Sequence, residues 1–255
     1  EFLFMPALRT ELESYLNNLL DVGKFKDYGP NGVQVEGKPE VRKLVSGVTA
    51  SHAFIEAAVA AQADAVLVHH GLFWRGYDGR ITGWMKRRIE LLLAHQITLF
   101  AYHLPLDAHD ELGNNAQFGA KLKLVADARF CDQNLGFIGN PLQPLTLPAL
   151  TAMVNYRLGR PPVVIEGEPN RPLQRIAWCT GGAQGYFEAA IAAGADAFLT
   201  GEISEPQAHL ARETGVAFLA CGHHATERFG APALAAHVAD KFGLEHQFIE
   251  IENPA

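Results

Sequence analysis

The chain of 255 residues contains only three cysteines, Cys131, Cys179 and Cys221, and none of them forms a Cys-x-x-Cys spacing. An odd number of scattered thiols builds neither the disulfide framework of a small secreted protein nor a thiolate zinc site. This scarcity favours a reducing compartment, and we expect a cytoplasmic protein.

The sequence also lacks an unbroken apolar run of the roughly 18 residues that a membrane-spanning helix needs. Charged residues make up 19% of the chain, below the roughly 25% typical of soluble domains, and the net charge is −7 with no cluster of Lys and Arg. We therefore expect neither a membrane nor a nucleic acid as the main partner. Met5 is expected to be the native first residue, because the four residues before it are too few for a signal peptide.

The sequence contains an internal repeat. The segment 54–67 matches the segment 186–199 without gaps at an offset of 132, and both contain Glu-Ala-Ala and Ala-Asp-Ala steps. Two later His and carboxylate pairs match at an offset of 120, so the first copy is 12 residues longer in between. The match favours a duplication over a coincidence between two Ala-rich helices.

Each copy has the pattern of a β-α-β-α-β unit, in which near-continuous apolar strands alternate with helices. This pattern predicts an α/β fold with mainly parallel sheets, and ligands in such sheets bind at the carboxyl ends of the strands. The predicted strands are 41–48, 65–68 and 97–101, then 175–179, 197–200 and 216–221. The predicted helices are 51–62, 83–95, 184–193 and 205–214. The predicted regions are a first repeat with an N-terminal helix (5–125), a bridging subregion with a short helix at 148–158 (126–172), and a second repeat (173–255).

Three of these strands end in metal-ligating side chains. They are His69 and His70 after the second strand, His103 and Asp107 after the third, and His223 and Glu227 after the last. Imidazole and carboxylate groups without thiolate suit Zn, Mn, Fe, Ni or Co, and the set is larger than one ion requires. We therefore predict two divalent ions per subunit between the two repeats, bridged by the symmetrically placed Asp107 and Glu227. The alternative is a set of strand-end histidines that only hydrogen-bond to loops.

Neighbouring residues carry further predictions. Pro105 is expected to prevent a helix after His103 and to shape a loop there. The loop 71–80 is rich in aromatic residues, Arg and Gly, and its Arg75 or Arg80 could contact a phosphate or carboxylate of a substrate; a subunit contact explains the same composition equally well. The remaining histidines are expected at the surface or at helix ends, with His109 and His224 nearest to the site: His52, His95, His109, His209, His224, His237 and His246.

Several motifs occur together in this order: Asn31-Gly32-Val33-Gln34-Val35-Glu36-Gly37, His69-His70-Gly71, Tyr102-His103 with Asp107, Gly201-Glu202, and Gly222-His223 with Glu227. On these motifs the chain from Met5 onward resembles the YbgI-type members of the Nif-three-like family, which are often labelled type 2 homologues of GTP cyclohydrolase I. The chain departs from the family at Gly71, where many relatives have Pro, and at His224, where many have an aromatic residue.

The resemblance implies a dinuclear metal centre with His69, His70, Asp107, His223 and Glu227 as ligands and His103 close to it. It also implies a homo-oligomer in the form of a toroidal hexamer. Two functions follow as hypotheses. The first is a metal-dependent hydrolase of a small, nucleotide-like molecule, in which His103 or His224 shuttles the proton; ring opening of GTP and the hydrolysis of a phosphoester or amide need the same centre. The second is a non-catalytic, ring-shaped scaffold whose ions hold its domains together.

Overall fold

A computed structural model of the protein describes residues 6–255. Met5 and the residues before it, including the expected start of the native chain, lie outside the described residues. The chain forms two compact units. The first runs up to Leu106 and includes Gly230–Glu252, and the second comprises Asp107–Phe229 with Asn253–Ala255.

The regular elements alternate between strands and helices along most of the chain. The strands are β1 (Ala7–Leu8), β2 (Gly32–Val35), β3 (Glu40–Val41), β4 (Lys43–Thr49), β5 (Ala65–His70), β6 (Thr98–Ala101), β7 (Leu124–Phe130), β8 (Gly136–Pro141), β9 (Val163–Ile165), β10 (Ile176–Trp178), β11 (Ala197–Thr200), β12 (Ala217–Ala220) and β13 (Glu245–Phe248). The α-helices are α1 (Arg9–Leu19), α2 (His52–Ala60), α3 (Gly83–Ala94), α4 (Leu104–Ala108), α5 (Asn114–Lys121), α6 (Leu147–Leu158), α7 (Phe187–Ala192), α8 (Glu205–Thr214), α9 (His223–Glu227) and α10 (Gly230–Phe242).

The first unit is built on a five-stranded sheet with the order β13-β4-β5-β6-β2. Strands β13, β4, β5 and β6 are parallel, and β2 runs antiparallel to β6. Apolar side chains such as Phe54, Ile55, Val66 and Ile89 form its core. Because β5 and β6 are parallel neighbours, their carboxyl ends lie side by side. His69 and His70 end β5, and His103 follows β6 by two residues.

The second unit is built on a six-stranded sheet with the order β7-β8-β10-β11-β12-β9. Its centre, β10-β11-β12, is parallel, and β8 and β9 flank this centre in the antiparallel sense. Phe118, Trp178, Leu199 and Leu219 belong to its core. The outer strand β7 also pairs with β8 in the antiparallel sense. The prediction of an α/β fold with two β-α-β-α-β units is confirmed, and the parallel strands form the centre of each large sheet.

Local sequence explains where several helices begin and end. The hydroxyl of Ser51 accepts a hydrogen bond from the backbone N–H of Phe54 and caps α2. Ser204 and Gln207 form a reciprocal capping box at the start of α8, which ends at Gly215 with a φ of 75°. These capping interactions set the observed ends of α2 and α8, which lie close to the predicted ones.

Three details differ from the expectations. Pro105 does not prevent a helix, because it lies in the first turn of α4, where its missing N–H would have no partner inside the helix; that expectation is wrong. The predicted helix 184–193 begins as a 3-10 turn, Gln184–Tyr186, before α7. The predicted boundaries at 125 and 172 both fall inside the second unit, whereas α10 and β13 belong to the first, where β13 pairs with β4.

Among the described residues, none of the helices combines the length and the apolar character that crossing a membrane would require.

Candidate functional site

Three imidazoles gather at the carboxyl ends of β5 and β6 in the first unit. The ring centroids of His69 and His70 are 4.5 Å apart, and those of His69 and His103 are 5.0 Å apart. One ring nitrogen from each of the three residues lies within 4.8 Å of the other two. His69 is fully buried, and the other two are half-buried. The structure thus brings three of the predicted site residues into a group that could hold a metal ion.

Hydrogen bonds at Nδ1 fix how these rings are turned. His69 Nδ1 lies 2.9 Å from the carbonyl oxygen of Tyr102, and His103 Nδ1 lies 2.7 Å from Oδ1 of Asp27. Because a carbonyl or carboxylate oxygen only accepts, Nδ1 must donate in both pairs, and Nε2 then carries the lone pair of the neutral ring. His70 Nδ1 lies 3.0 Å from the hydroxyl of Thr49. Such a partner on the second nitrogen is typical of metal-ligating histidines.

Asp27 ties the chain after β6 to the loop before β2. Its carboxylate, 4% exposed, accepts hydrogen bonds from the backbone N–H groups of Tyr28 (2.6 Å) and Leu104 (2.9 Å), as well as from Asn31 Nδ2 (2.9 Å). Asn31 Oδ1 in turn accepts from the backbone N–H of His103 at 2.7 Å. Burial acts to raise the pKa of Asp27, but the hydrogen bonds and the adjacent His103 outweigh it and lower that pKa to about 2. Asp27 is therefore an ionised residue that positions His103.

The second unit presents its own ligand group at the carboxyl end of β12. His223 begins the short helix α9 and Glu227 ends it, which places His223 Nε2 3.1 Å from Glu227 Oε2. The other ring nitrogen, Nδ1, lies 2.6 Å from Oε1 of Glu202. The hydrogen bond to Glu227 and, further, the carboxylate of Glu202 raise the pKa of His223 to about 9 against the opposing effect of burial. Two carboxylates around one imidazole favour a positive charge, which a proton or a metal ion can supply.

Asp107 completes this group from α4. Its buried carboxylate has an oxygen within 4.8 Å of a Glu227 oxygen. Asp107 Oδ1 accepts hydrogen bonds from Asn114 Nδ2 at 2.9 Å and from the Thr180 hydroxyl at 3.4 Å. The two carboxylates that the sequence predicted as a bridging pair are thus neighbours inside the second unit.

A glycine makes room for the carboxylate of Glu227. Gly181 has a φ of +72°, and a Cβ placed on it would collide with Oε1 of Glu227 and lie 3.2 Å from Nε2 of His223. Its backbone N–H donates to the hydroxyl of Thr226 at 3.0 Å. Only glycine accepts both the left-handed backbone and the contact with Glu227 without strain.

The predicted substrate-contact residues belong to the first unit. Arg75 is exposed; its guanidinium lies 5.4 Å from the ring centroid of Tyr28, and Nη2 donates to the carbonyl oxygen of Asp27 at 3.0 Å. Arg80 forms an exposed ion pair with Asp78 at 2.6 Å. A small recess of about 10 Å³ between the loop 27–31 and the loop after β5 includes His69, His103 and Trp74 in its wall.

The other histidines have local roles. His109 Nδ1 accepts from two backbone N–H groups of its own turn. His52 and His209 pair with glutamates one helical turn away, at Glu56 and Glu205, and two more bind hydroxyl groups, His237 to Tyr15 and His246 to Ser46. His224, the second candidate proton carrier, is buried next to His223, and its backbone N–H donates to the carbonyl of Ala255 at 3.1 Å.

The sequence did not reveal the residues that orient the candidate ligands and His103 by hydrogen bonds. Asp27 contacts His103, and Thr49 and Thr180 contact His70 and Asp107, through pairs that are far apart in the chain. Asn114 is only seven residues from Asp107 but follows it in a separate helix. Glu202 was noted only as part of a family motif. Asp27 precedes the turn Gly29-Pro30-Asn31-Gly32, and aspartate is common at turns because it accepts hydrogen bonds from nearby backbone groups, but this signal does not point to His103.

The sequence matches the family Duf34/NIF3 (NGG1p interacting factor 3) over residues 7–254. A protein of Neisseria meningitidis serogroup A named GTP cyclohydrolase 1 type 2 homolog is 52% identical over 249 residues, which cover 98% of this chain and 100% of that protein. A Pseudomonas aeruginosa protein of the same name is 49% identical over 255 residues, which cover 98% of this chain and 99% of that protein.

Solved structures agree with these matches. The structure of the protein ybgI, described as of unknown function, has a TM-score of 0.94 at 46% identity and covers 98% of this chain and 100% of its own. A protein of Thermus thermophilus has a TM-score of 0.89 at 36% identity, with the same coverage of both chains. The resemblance inferred from the motifs is confirmed.

Proposed function

The chain belongs to the Duf34/NIF3 family, and we propose that it is a hydrolase that depends on two divalent metal ions and acts on a small, nucleotide-like substrate. One observation carries the proposal: His69 and His223 each donate Nδ1–H to a fixed oxygen acceptor, which directs Nε2 to the ion, and Asp27 holds the ring of His103 beside them in the same way. An acceptor on Nδ1 that fixes the tautomer and the orientation of the ring is typical of metal-ligating histidines.

The chemistry of the donor set fits divalent first-row ions. We assign His69, His70, Asp107, His223 and Glu227 as the ligands, with Asp107 and Glu227 as the bridging carboxylates. Nitrogen and oxygen donors without thiolate admit Zn, Mn, Fe, Ni or Co. Two such ions would activate water for attack and stabilise negative charge that develops on the substrate.

Protein side chains have two further tasks in this proposal. Asp27 holds a proton on Nδ1 of His103 and stabilises the ring when Nε2 accepts a second proton, so His103 is the proton carrier that we favour. Glu202 fixes His223 in the same way and keeps its Nε2 towards Glu227. His224 is the alternative proton carrier.

The test is a screen of nucleotides, other phosphoesters and pterin precursors with each metal supplied separately. Wild type is compared with Glu227→Gln, which keeps the size of the side chain but weakens metal binding, and with His109→Ala as a matched control. We expect turnover of at least one substrate by wild type and by His109→Ala, and its loss in Glu227→Gln. Protein that binds two ions but turns over none of these substrates contradicts the hydrolase.

A second experiment separates the hydrolase from a non-catalytic metal-binding scaffold. A hydrolase needs a coordination position that water or substrate can occupy, whereas an ion with a purely structural role is fully ligated by protein. Azide or phosphate binding to the cobalt-substituted protein changes the visible spectrum only if such a position exists. An unchanged spectrum together with a large loss of thermal stability on chelation favours the scaffold.

Assembly belongs to the same proposal. We propose a closed homo-oligomer, a toroidal hexamer, on the basis of the family membership and the low proportion of charged residues. Light scattering at micromolar concentration should give a mass near six times 27.8 kDa. A monomeric mass rejects the assembly and leaves the metal ligands to be tested separately.

A further inference from the structure

Two loops beside the imidazoles of the first unit hold each other in place. The backbone N–H of Arg75 donates to the carbonyl of Tyr28 at 2.6 Å, and Arg75 Nη2 donates to the carbonyl of Asp27 at 3.0 Å. Gly29 lies so close to the opposite loop that a Cβ there would collide with the carbonyl oxygen of Phe73. The loop 71–77 is thereby anchored to the same Asp27 loop that positions His103.

Trp74 is placed by this anchoring next to the candidate ligands. Its ring centroid lies 5.0 Å from that of His103, at an interplanar angle of 85°, and 5.9 Å from that of His70. Its residue surface is nevertheless 37% exposed. An indole is among the largest apolar surfaces that a side chain offers, and leaving it in water next to polar rings forgoes the gain from burial. Such a position suits a residue whose ring is covered by a ligand.

The other tryptophans lack this environment. Trp178 is 1% exposed in the core of the second unit, and Trp84 on α3 is 55% exposed and packs against the guanidinium of Arg88. Only Trp74 combines an accessible indole with the imidazoles of His70 and His103 among the ring contacts of the described residues. Trp84 therefore provides a matched control for any effect of losing an exposed indole.

Arg75 follows Trp74 in the chain, and its guanidinium lies 5.4 Å from the ring centroid of Tyr28, whose ring in turn contacts His103. The Arg75 side chain is exposed, and its contact with the Asp27 carbonyl uses one of the five guanidinium N–H groups. The backbone and side-chain bonds of Arg75 to the 27–28 segment restrict its position, which lowers the entropy lost when it binds an anion. An aromatic wall and a restrained guanidinium on adjacent residues match a flat ring that carries an anionic substituent.

We propose that Trp74 is the stacking surface for the planar heteroaromatic ring of the substrate and that Arg75 binds the anionic group attached to that ring. This inference rests on the proposed function, and it narrows the substrate class to nucleotide-like compounds and excludes simple aliphatic phosphoesters. Stacking on an indole is strong and tolerant of ring identity, so the residue selects the class of compound and leaves the choice of base to other contacts.

The test measures binding without turnover, on the metal-loaded protein in phosphate-free buffer. The probes are guanosine 5′-monophosphate, guanosine and ribose 5-phosphate. Trp74→Ala should weaken the binding of the monophosphate and of guanosine by about 5- to 150-fold and leave ribose 5-phosphate unchanged, while Trp74→Phe should retain most of the affinity. Arg75→Gln should weaken both phosphates and leave guanosine unchanged.

Fluorescence gives a second readout. In a Trp84→Phe background, the accessible emission comes from Trp74, and guanosine 5′-monophosphate should quench it in proportion to its occupancy. Trp84→Ala should bind all three probes as wild type does. Equal affinity of Trp74→Ala and wild type for the monophosphate overturns the proposal. So does failure of wild type to bind it, or a change in oligomeric mass in Trp74→Ala without a change in ligand affinity.

The outcomes distinguish this inference from the hydrolase itself. Binding of the monophosphate through Trp74 by protein that hydrolyses nothing would support the aromatic subsite and count against the hydrolase. Hydrolysis of an aliphatic phosphoester at equal rates by wild type and Trp74→Ala would support the hydrolase and overturn the aromatic subsite. The metal content of each variant, measured in parallel, shows that a loss of affinity does not come from a loss of ions.

Discussion

Asp27 accepts a hydrogen bond from Nδ1 of His103 at 2.7 Å, although 76 positions separate the two residues in the chain. The same carboxylate accepts from the backbone N–H of Leu104, so it fixes both the ring of His103 and the path of the chain that follows it. Positioning of this kind usually changes metal affinity or activity without removing a ligand. A change at Asp27 therefore tests how the positions of His103 and Leu104 matter while every proposed ligand is still present.

Asp27→Asn should lower metal affinity by about 10- to 100-fold, because the amide cannot accept from both the ring of His103 and the backbone N–H of Leu104, and Leu104 begins the helix α4 that carries the proposed ligand Asp107. A competition titration with a chromophoric chelator measures the change. Asp78→Asn, in the exposed loop next to Arg80, is the matched control and should bind metal as wild type does. Equal affinities in all three proteins would show that Asp27 has only a structural role.

Asp107→Asn and Glu227→Gln should lose metal more completely than His109→Ala or His246→Ala. The first two change carboxylates that we propose to bridge both ions, whereas His109 contacts its own turn and His246 contacts Ser46. Elemental analysis of protein purified without chelators, at matched concentration, gives ions per chain. Equal retention in the four variants rejects the bridging assignment, and fewer than one ion per wild-type chain rejects the dinuclear centre.

The duplication could be read from the sequence because the repeated residues perform the same local task. Asp64 Oδ2 accepts from the backbone N–H groups of Arg42 and Lys43, and Asp196 Oδ2 accepts from those of Gln174 and Arg175. The two carboxylates are 132 positions apart in the chain, and so are the corresponding donors, Arg42 and Gln174, and Lys43 and Arg175. A carboxylate that joins two parallel strands at their starts leaves a local trace in the sequence, which is the Ala-Asp-Ala step before β5 and β11.

The orienting residues left no such trace. Asp27 and His103, or Thr180 and Asp107, meet only because loops from distant parts of the chain converge, and neither member shows a spacing that points to the other. The sequence also did not predict that α10 and β13 belong to the first unit, for a related reason. A C-terminal helix and strand show their periodicity in sequence, but the sheet edge that they join depends on which edge is open, here that of β4.

Asp64 should also produce a measurable pH dependence. Burial acts to raise its pKa, but Lys38 and the N–H groups of Arg42 and Lys43 outweigh it, so the pKa of the folded protein lies below the usual 3.8. A depressed pKa stabilises the fold above the unfolded value, and that contribution disappears as the pH falls through the folded value. Asp64→Asn should thus be less stable than wild type by about 1 kcal/mol at pH 7, since bonds to a charged acceptor are stronger.

Urea unfolding of the two proteins between pH 7 and pH 3 measures this difference, which should shrink once the pH drops below about 4. Asp78→Asn, which removes an exposed ion pair with Arg80 that water screens, should change the stability far less. A stability difference between wild type and Asp64→Asn that stays constant over the whole range would mean that the charge of Asp64 contributes nothing.

Gly181 offers the sharpest test of the second ligand group. In Gly181→Ala the new methyl group would meet Oε1 of Glu227 and approach Nε2 of His223, and a φ of +72° adds strain of about 1 kcal/mol. We expect metal affinity to fall at least tenfold while the fold persists. Gly185→Ala is the matched control, because a Cβ there has no heavy atom within 4 Å. Chelator competition and circular dichroism measured on both variants decide the matter: if Gly181→Ala binds metal as tightly as Gly185→Ala does, Glu227 and His223 do not hold an ion beside this backbone.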